Sequence, residues 1–210
     1  MPENVAGYPA TLSIDYPERS DRFTSFFRLI MAVPILIILA LLLGTDHSNP
    51  EAAERVYYVG TAGLVVIPTI LLILFRQKYP RWWFDWNLAM ANFITRIVAY
   101  VLLLRDEYPS TDEEQAVHID IPYPNVEQDL HRWLPLVKWL LAIPHYIVLA
   151  FLWVAVVFCW IIAWFAILFT GRHPRGLYDF VVSVMRWSLR VGAYGMLLTT
   201  DQYPPFSLRE

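Results

Sequence analysis

Residues 140–171, LLAIPHYIVLAFLWVAVVFCWIIAWFAILFTG, carry no formally charged side chain at neutral pH, and their reading decides the fold. The wider stretch 133–169 holds only Lys138 and His145 as strongly polar groups. A core helix of a water-soluble domain is rarely so long and so uniformly apolar. The whole chain has the same character: 210 residues, 57% hydrophobic and 17% charged, too little polar surface to cover a soluble body of that size. The fold these features imply is an all-α integral membrane protein.

The apolar run exceeds one ordinary span, since a hydrocarbon core takes about 20 helical residues at a rise of about 1.5 Å each. It therefore reads as a tight hairpin turning near Leu152–Val156. A single long tilted helix is the other arrangement the run allows, and it would invert this part of the chain.

Compared with itself, the chain repeats. Arg22 to Pro34 (RFTSFFRLIMAVP) matches Arg132 to Pro144 (RWLPLVKWLLAIP) without a gap, pairing Arg28 with Lys138. Tyr16-Pro17 answers Tyr123-Pro124, and Pro80 to Trp86 (PRWWFDW) answers Pro174 to Phe180 (PRGLYDF). Further on, Arg96 pairs with Arg190, Tyr100 with Tyr194, and Tyr108-Pro109 with Tyr203-Pro204. The domain organisation expected is two tandem membrane repeats, 1–109 and 121–210. An acidic linker, 110–120, joins them within a proline-rich stretch (105–130) that reads as extended and outside the membrane.

Each repeat is expected to be a transmembrane helical hairpin plus an amphipathic interfacial helix. In the first copy the spans are about 23–43 and 57–75, joined by the polar loop GTDHSNPEAAERV (44–56). The third helices, about 81–104 and 175–199, each carry one polar stripe: Asp85, Ala89, Asn92 and Arg96 in the first, Asp179, Ser183, Arg186 and Arg190 in the second. With four spans and two interfacial helices, Arg55 alone of the 16 Lys and Arg residues lies beyond the membrane. That asymmetry places both termini in the cytoplasm, in a bacterial inner membrane. The N-terminus shows no basic region followed by an apolar core, so no removable signal peptide is read.

The candidate functional groups are few. Arg172, His173 and Arg175, with Arg76, Lys78 and Arg81 in the first copy, read as a helix start anchored at headgroups, or as a lipid-headgroup or partner contact. The stripe residues Asp85, Asn92, Arg96, Asp179, Arg186 and Arg190 need partners in an apolar setting; phosphates or linker acids supply them, or the stripes line a path for an ion or substrate. Pro34 and Pro144 read as helix kinks, with His145 hydrogen-bonding locally at the freed backbone or contacting a haem, metal or quinone. No second histidine matches His145, because Ile35 occupies the first-copy position. The lone Cys159 reads as a packing residue. Neither a phosphate-cradling glycine loop, a nucleophile elbow nor a metal-ligand cluster is present, so no cofactor and no catalytic group is expected. The net charge of −3, with no basic cluster, excludes a nucleic-acid partner.

The second unit, with Arg132, Ile143-Pro144-His145, Leu168-Phe169-Thr170-Gly171-Arg172-His173-Pro174-Arg175-Gly176, Arg186-Trp187 and Asp201-Gln202-Tyr203-Pro204-Pro205-Phe206, resembles bacterial membrane proteins classed as domain of unknown function 4389. The resemblance is strong from 121 to 206. In the first unit Phe75-Arg76-Gln77-Lys78-Tyr79-Pro80 stands where the family has the Phe-Thr-Gly-Arg-His-Pro pattern. The resemblance implies membrane residence and a unit carried once or twice, with no established activity. The function expected is that of a non-catalytic accessory or scaffolding subunit, whose partners are membrane lipids, subunits of a larger membrane complex, or copies of itself. A small transporter or channel element using the repeat interface and an electron-transfer subunit with a cofactor at His145 are the other readings.

Overall fold

The computed structural model describes residues 8–42, 61–111 and 113–209. The polar loop 44–56, Arg55 and the expected start of the helix at 57 lie outside the described residues. The elements are β1 (Thr11–Ile14), α1 (Arg22–Leu42), α2 (Thr61–Leu71) continued by a π turn (Leu72–Arg76), α3 (Arg81–Val101), β2 (Val117–Asp120), the single-turn α4 (Val126–Asp129), α5 (Pro135–Leu141), α6 (Ile143–Thr170) and α7 (Arg175–Gly195).

Two sequence expectations are corrected. The hairpin near Leu152–Val156 is absent: α6 runs unbroken for 28 residues through that point. Nothing in LWVAV offers a turn, since glycine, proline, asparagine and aspartate are all missing, and the backbone hydrogen bonds are best kept inside one helix. The all-α expectation also omits a two-stranded antiparallel ribbon, in which Leu12 faces Ile119 and Ile14 faces Val117. Its second strand comes from the stretch read as an extended linker.

Three layers result. α1 and α6 form the first, meeting where the Trp164 indole donates to the Ser25 carbonyl at 3.1 Å and Ser20 N–H donates to the Gly171 carbonyl at 3.0 Å. α3 and α7 form the second: Ala32 and Ile35 of α1 pack on Phe93, Ile97 and Tyr100 of α3, while Ala142, Leu149 and Val156 pack with Val181, Val184 and Met185 of α7. The ribbon is the third layer. β1 lies along α7, its Leu12 carbonyl accepting from Arg186 Nε at 2.8 Å and its Ile14 carbonyl from the Tyr178 hydroxyl at 3.0 Å. β2 lies along α3.

Helix ends follow local chemistry. Pro80 and Pro174 cap α3 and α7, where a missing N–H costs nothing. Gly171 ends α6 with φ +71, and Gln77 ends the π turn with φ +46. Pro144 marks a restart rather than a kink deep in a span: α5 stops at Leu141, Ala142 is a turn, and α6 begins at Ile143. Pro34 sits inside an unbroken α1.

Candidate functional site, an apolar face over buried cations

The first layer has an unusual section. α6 buries His145, Leu149, Val156, Ala163 and Ile167, continuing from the buried Ala142 at its cap, with Leu152 and Cys159 half-buried. These positions alternate in steps of three and four, which is the narrow seam of a coiled coil rather than the broad stripe of a surface helix. α1 does the same at Ser25, Arg28, Ala32 and Ile35. Around both seams the apolar side chains are exposed, among them Phe26, Ile30 and Ile37 on α1 and Phe151, Phe158 and Phe165 on α6. Both helices are long and apolar enough to cross a membrane by length and composition, yet only 22% and 17% of their apolar windows are buried. They are therefore not core helices of this chain.

Beneath this face lie two buried cations. Arg28 Nη2 pairs with Asp106 Oδ1, its Nη1 donates to the Tyr100 carbonyl at 3.2 Å, and its guanidinium sits 4.4 Å from the Tyr100 ring centroid. Lys138 Nζ lies 2.7 Å from Asp201 Oδ1, donates to the Thr200 carbonyl at 2.7 Å, and stands 5.2 Å from the Tyr194 ring centroid. A desolvated cation persists only with such a set: one counter-charge, backbone acceptors and an aromatic face. The sequence pairs Arg28 with Lys138 but assigns neither a partner. The available signal was an aspartate two residues before each Tyr-Pro pair, Asp106 before Tyr108-Pro109 and Asp201 before Tyr203-Pro204.

His145 is wholly buried in an aromatic box. Its ring stacks on Phe206 at 3.9 Å, Tyr203 and Trp187 flank it, and Nδ1 accepts from the Trp187 indole at 3.1 Å. Its partner is thus a tryptophan of α7 rather than backbone freed by Pro144. No group of three or more His, Cys, Asp and Glu side chains among the described residues could hold a metal ion.

The basic residues are divided between two ends. Arg172, His173 and Arg175 sit where α6 turns into α7, while Arg76, Lys78 and Arg81 sit where the π turn leads into α3. The second group neighbours the far end of α7, for the Tyr79 hydroxyl donates to the Leu197 carbonyl at 3.0 Å. The groups are thus separated by the length of α7, about 30 Å for its 21 residues. Arg132 joins the second group through the Leu74 carbonyl. Within each, a tyrosine is clamped. Arg175 lies 4.2 Å from the Tyr16 ring, whose hydroxyl donates to the His173 carbonyl; Arg81 lies 5.0 Å from the Tyr123 ring, whose hydroxyl donates to the Tyr79 carbonyl. His173 itself is buried, and its Nδ1, 3.1 Å from the Pro174 carbonyl, carries a proton to donate. Burial holds its pKa below the ordinary histidine value, with the bond to Pro174 opposing in part.

The polar stripes turn toward strands and loops. Arg186 reaches Leu12 of β1; Arg190 Nη2 donates to the Ser207 carbonyl at 2.9 Å and Arg96 Nη1 to the Ser110 carbonyl at 2.8 Å. Asn92 Nδ2 donates to the Leu88 carbonyl within its own helix, Asp85 pairs with Arg81 at 3.6 Å, and Asp179 is exposed. Between α3 and α7 a cavity of about 480 Å³ is lined by apolar groups, including Trp86, Met90, Trp153, Met185 and Met196.

A mostly helical body with two candidate membrane helices and no metal cluster among its described residues thus defines the class of protein. More particularly, a family model described as domain of unknown function DUF4389 matches residues 133–207, from just before α5 through α6 and α7 to the C-terminal loop. No curated protein and no solved structure matches the chain.

Proposed function

We propose that this chain is a non-catalytic, membrane-resident accessory protein that meets lipid through the α1–α6 face, in a bacterial inner membrane. The observation that carries the reading is the narrow seam: both helices fully bury one residue in every three or four, half-bury those beside it, and leave most of their remaining apolar circumference exposed. Water-soluble monomers rarely expose contiguous apolar surface beyond a few hundred Å², whereas lipid is a satisfactory solvent for it. Larger membrane-complex subunits are the further partners this face suits.

The same reading holds the chain to be a duplicated unit, 1–109 and 121–210 about the linker 110–120. Equivalent contacts support it. Arg28–Tyr100–Asp106 has the same roles as Lys138–Tyr194–Asp201. Tyr16 on Arg175 and His173 mirrors Tyr123 on Arg81 and Tyr79, each tyrosine clasping the other unit. The left-handed residues pair likewise, Gln77 with Gly171 and Leu103 with Leu198. β1 of the first unit lies on the third helix of the second, and β2, from the end of the linker, lies on the third helix of the first, so neither half would keep its contacts alone.

Fractionation of native membranes tests the reading. The chain should resist an alkaline carbonate wash and, purified in mild detergent, bring phospholipid or a defined complex with it. Recovery as a lipid-free soluble dimer would overturn it.

A further inference from the structure

The two long apolar helices invite a spanning orientation, but three observations point elsewhere. The first is level. The ribbon lies along Tyr178–Arg190 of α7, the Tyr8 hydroxyl just before it donating to the Arg190 carbonyl at 3.0 Å. α7 runs back along α6 from the Gly171 turn, Gly195 abutting Tyr146 in the first turn of α6 and Ser188 accepting from the Trp153 indole at 3.1 Å, so Tyr178–Arg190 lies beside α6 between its two ends. On those same turns α6 exposes Ile147, Phe151, Val154 and Phe158 outward. At one level the molecule is thus apolar on one side and polar on the other, where Thr11, Ser13, His118 and Asp120 are exposed. Among the described residues neither strand has a second strand partner: α7 side chains take the outward Leu12 and Ile14 carbonyls of β1, and β2 keeps an outer edge with no strand beside it. Hydrocarbon cannot accept an open strand edge. With α1 and α6 standing across a bilayer, the ribbon would sit between the two headgroup layers, at a level where α6 exposes apolar side chains.

The second is charge. An upright seat places Arg172 and Arg175 on one side of the membrane and Arg76, Lys78, Arg81 and Arg132 on the other, against the one-sided distribution that membrane insertion favours. The expected asymmetry depended on a hairpin in 140–171 that does not exist. The third is length. α6 at 28 residues is about 42 Å, well over the ~30 Å of hydrocarbon.

We infer that, resting on the lipid-contact reading above, the α1–α6 layer lies flat in a single leaflet, with both basic ends at the headgroups of that leaflet and the ribbon facing water. The partner is an anionic phospholipid surface: hydrocarbon takes the exposed face, and phosphates take the two rims. Exposed Trp82, Trp133 and Trp139 sit among the second basic group, at the depth where indoles are favoured.

Depth measurement on the full chain decides the matter. In a Cys159→Ala background, single cysteines at Ile147, Phe158 and Phe169 on α6 and at Ser13 and His118 on the ribbon are spin-labelled after reconstitution into mixed zwitterionic and anionic phospholipid vesicles. All five labelled positions are exposed, and the one seam residue changed, Cys159, is half-buried and replaced by the smaller Ala. The three α6 labels should report depths within one helical turn of each other, and both ribbon labels full contact with water. A depth maximum at Phe158, with Ile147 and Phe169 reached by an impermeant thiol reagent from opposite sides, would overturn the flat seat while leaving membrane residence intact. A chain that does not partition into the vesicles, and instead covers the face with a second copy, would overturn the lipid reading itself.

Discussion

Lys138 is a charge without water, its side chain wholly buried and its counter-ion Asp201 13% exposed. Removing one partner from such a pair strands the other, at a cost of about 3–5 kcal/mol, whereas replacing both with apolar groups can be nearly neutral. Lys138→Met should therefore destabilise strongly, Asp201→Leu likewise, and the double variant should recover most of the loss in detergent-based denaturant unfolding. Simple additivity of the two singles would show that the pair is not coupled. His173 supplies a pH dependence. Its folded pKa lies below the unfolded value of about 6.5, so the unfolded chain takes up the proton first as pH falls. The stabilisation is complete above about pH 6.5 and is lost below it, toward the lower folded pKa. His173→Asn should flatten that part of the stability profile; an unchanged slope would exclude His173 as its source. At this scale the sequence was half legible. Lys138 and Arg28 stand out as charges in apolar runs, but their acids sit in loops far along the chain, where only the third helices bring them back.

Helix ends and lengths show what periodicity can and cannot carry. The starts of the third helices are readable to the residue, because Pro80-Arg81 and Pro174-Arg175 punctuate them, whereas the expected ends at 104 and 199 overshoot Val101 and Gly195. The run 140–171 was not readable in the same way. A uniformly apolar sequence has no moment to distinguish one helix from two, and the rule that a long run must fold back presumes that it stands upright in the membrane. The ribbon escaped notice because alternation over four residues, TLSI and VHID, is too short to separate from a linker. The two helix stops predict opposite responses. Gly171 at φ +71 has Arg22 Nε 3.2 Å from where a Cβ would lie, so Gly171→Ala should cost about 1 kcal/mol or more. Gln77 adopts a similar conformation with a side chain, so Gln77→Gly should be neutral or stabilising by up to about 1 kcal/mol. Thermal unfolding of the two variants side by side checks both signs, and a stabilised Gly171→Ala would show that the cap is not left-handed.

At the scale of the whole molecule, the apolar composition is what the proposed contact with lipid starts from, and the stacking of layers is what says how the chain would meet it. Three tiers running from exposed phenylalanines to exposed aspartate and histidine make a body with one greasy side, and such a body has a natural seat at an interface. Surface electrostatics then gives a test independent of depth. A basic residue near an anionic surface contributes about 1 kcal/mol, close to fivefold in partition. For a flat seat both rims touch the same leaflet, so Arg172→Ser with Arg175→Ser, and separately Lys78→Ser with Arg81→Ser, should each weaken vesicle binding on the order of 20-fold at low salt. Because Arg175 and Arg81 each also cover a tyrosine ring, near-ultraviolet circular dichroism should accompany the flotation assay, so that lost packing is not mistaken for lost charge. The two losses should multiply when combined, and all of them should fade as salt screens the surface. If one rim alone mattered, the molecule would be touching the leaflet by an end, and the flat orientation would be wrong even with the apolar face still in lipid.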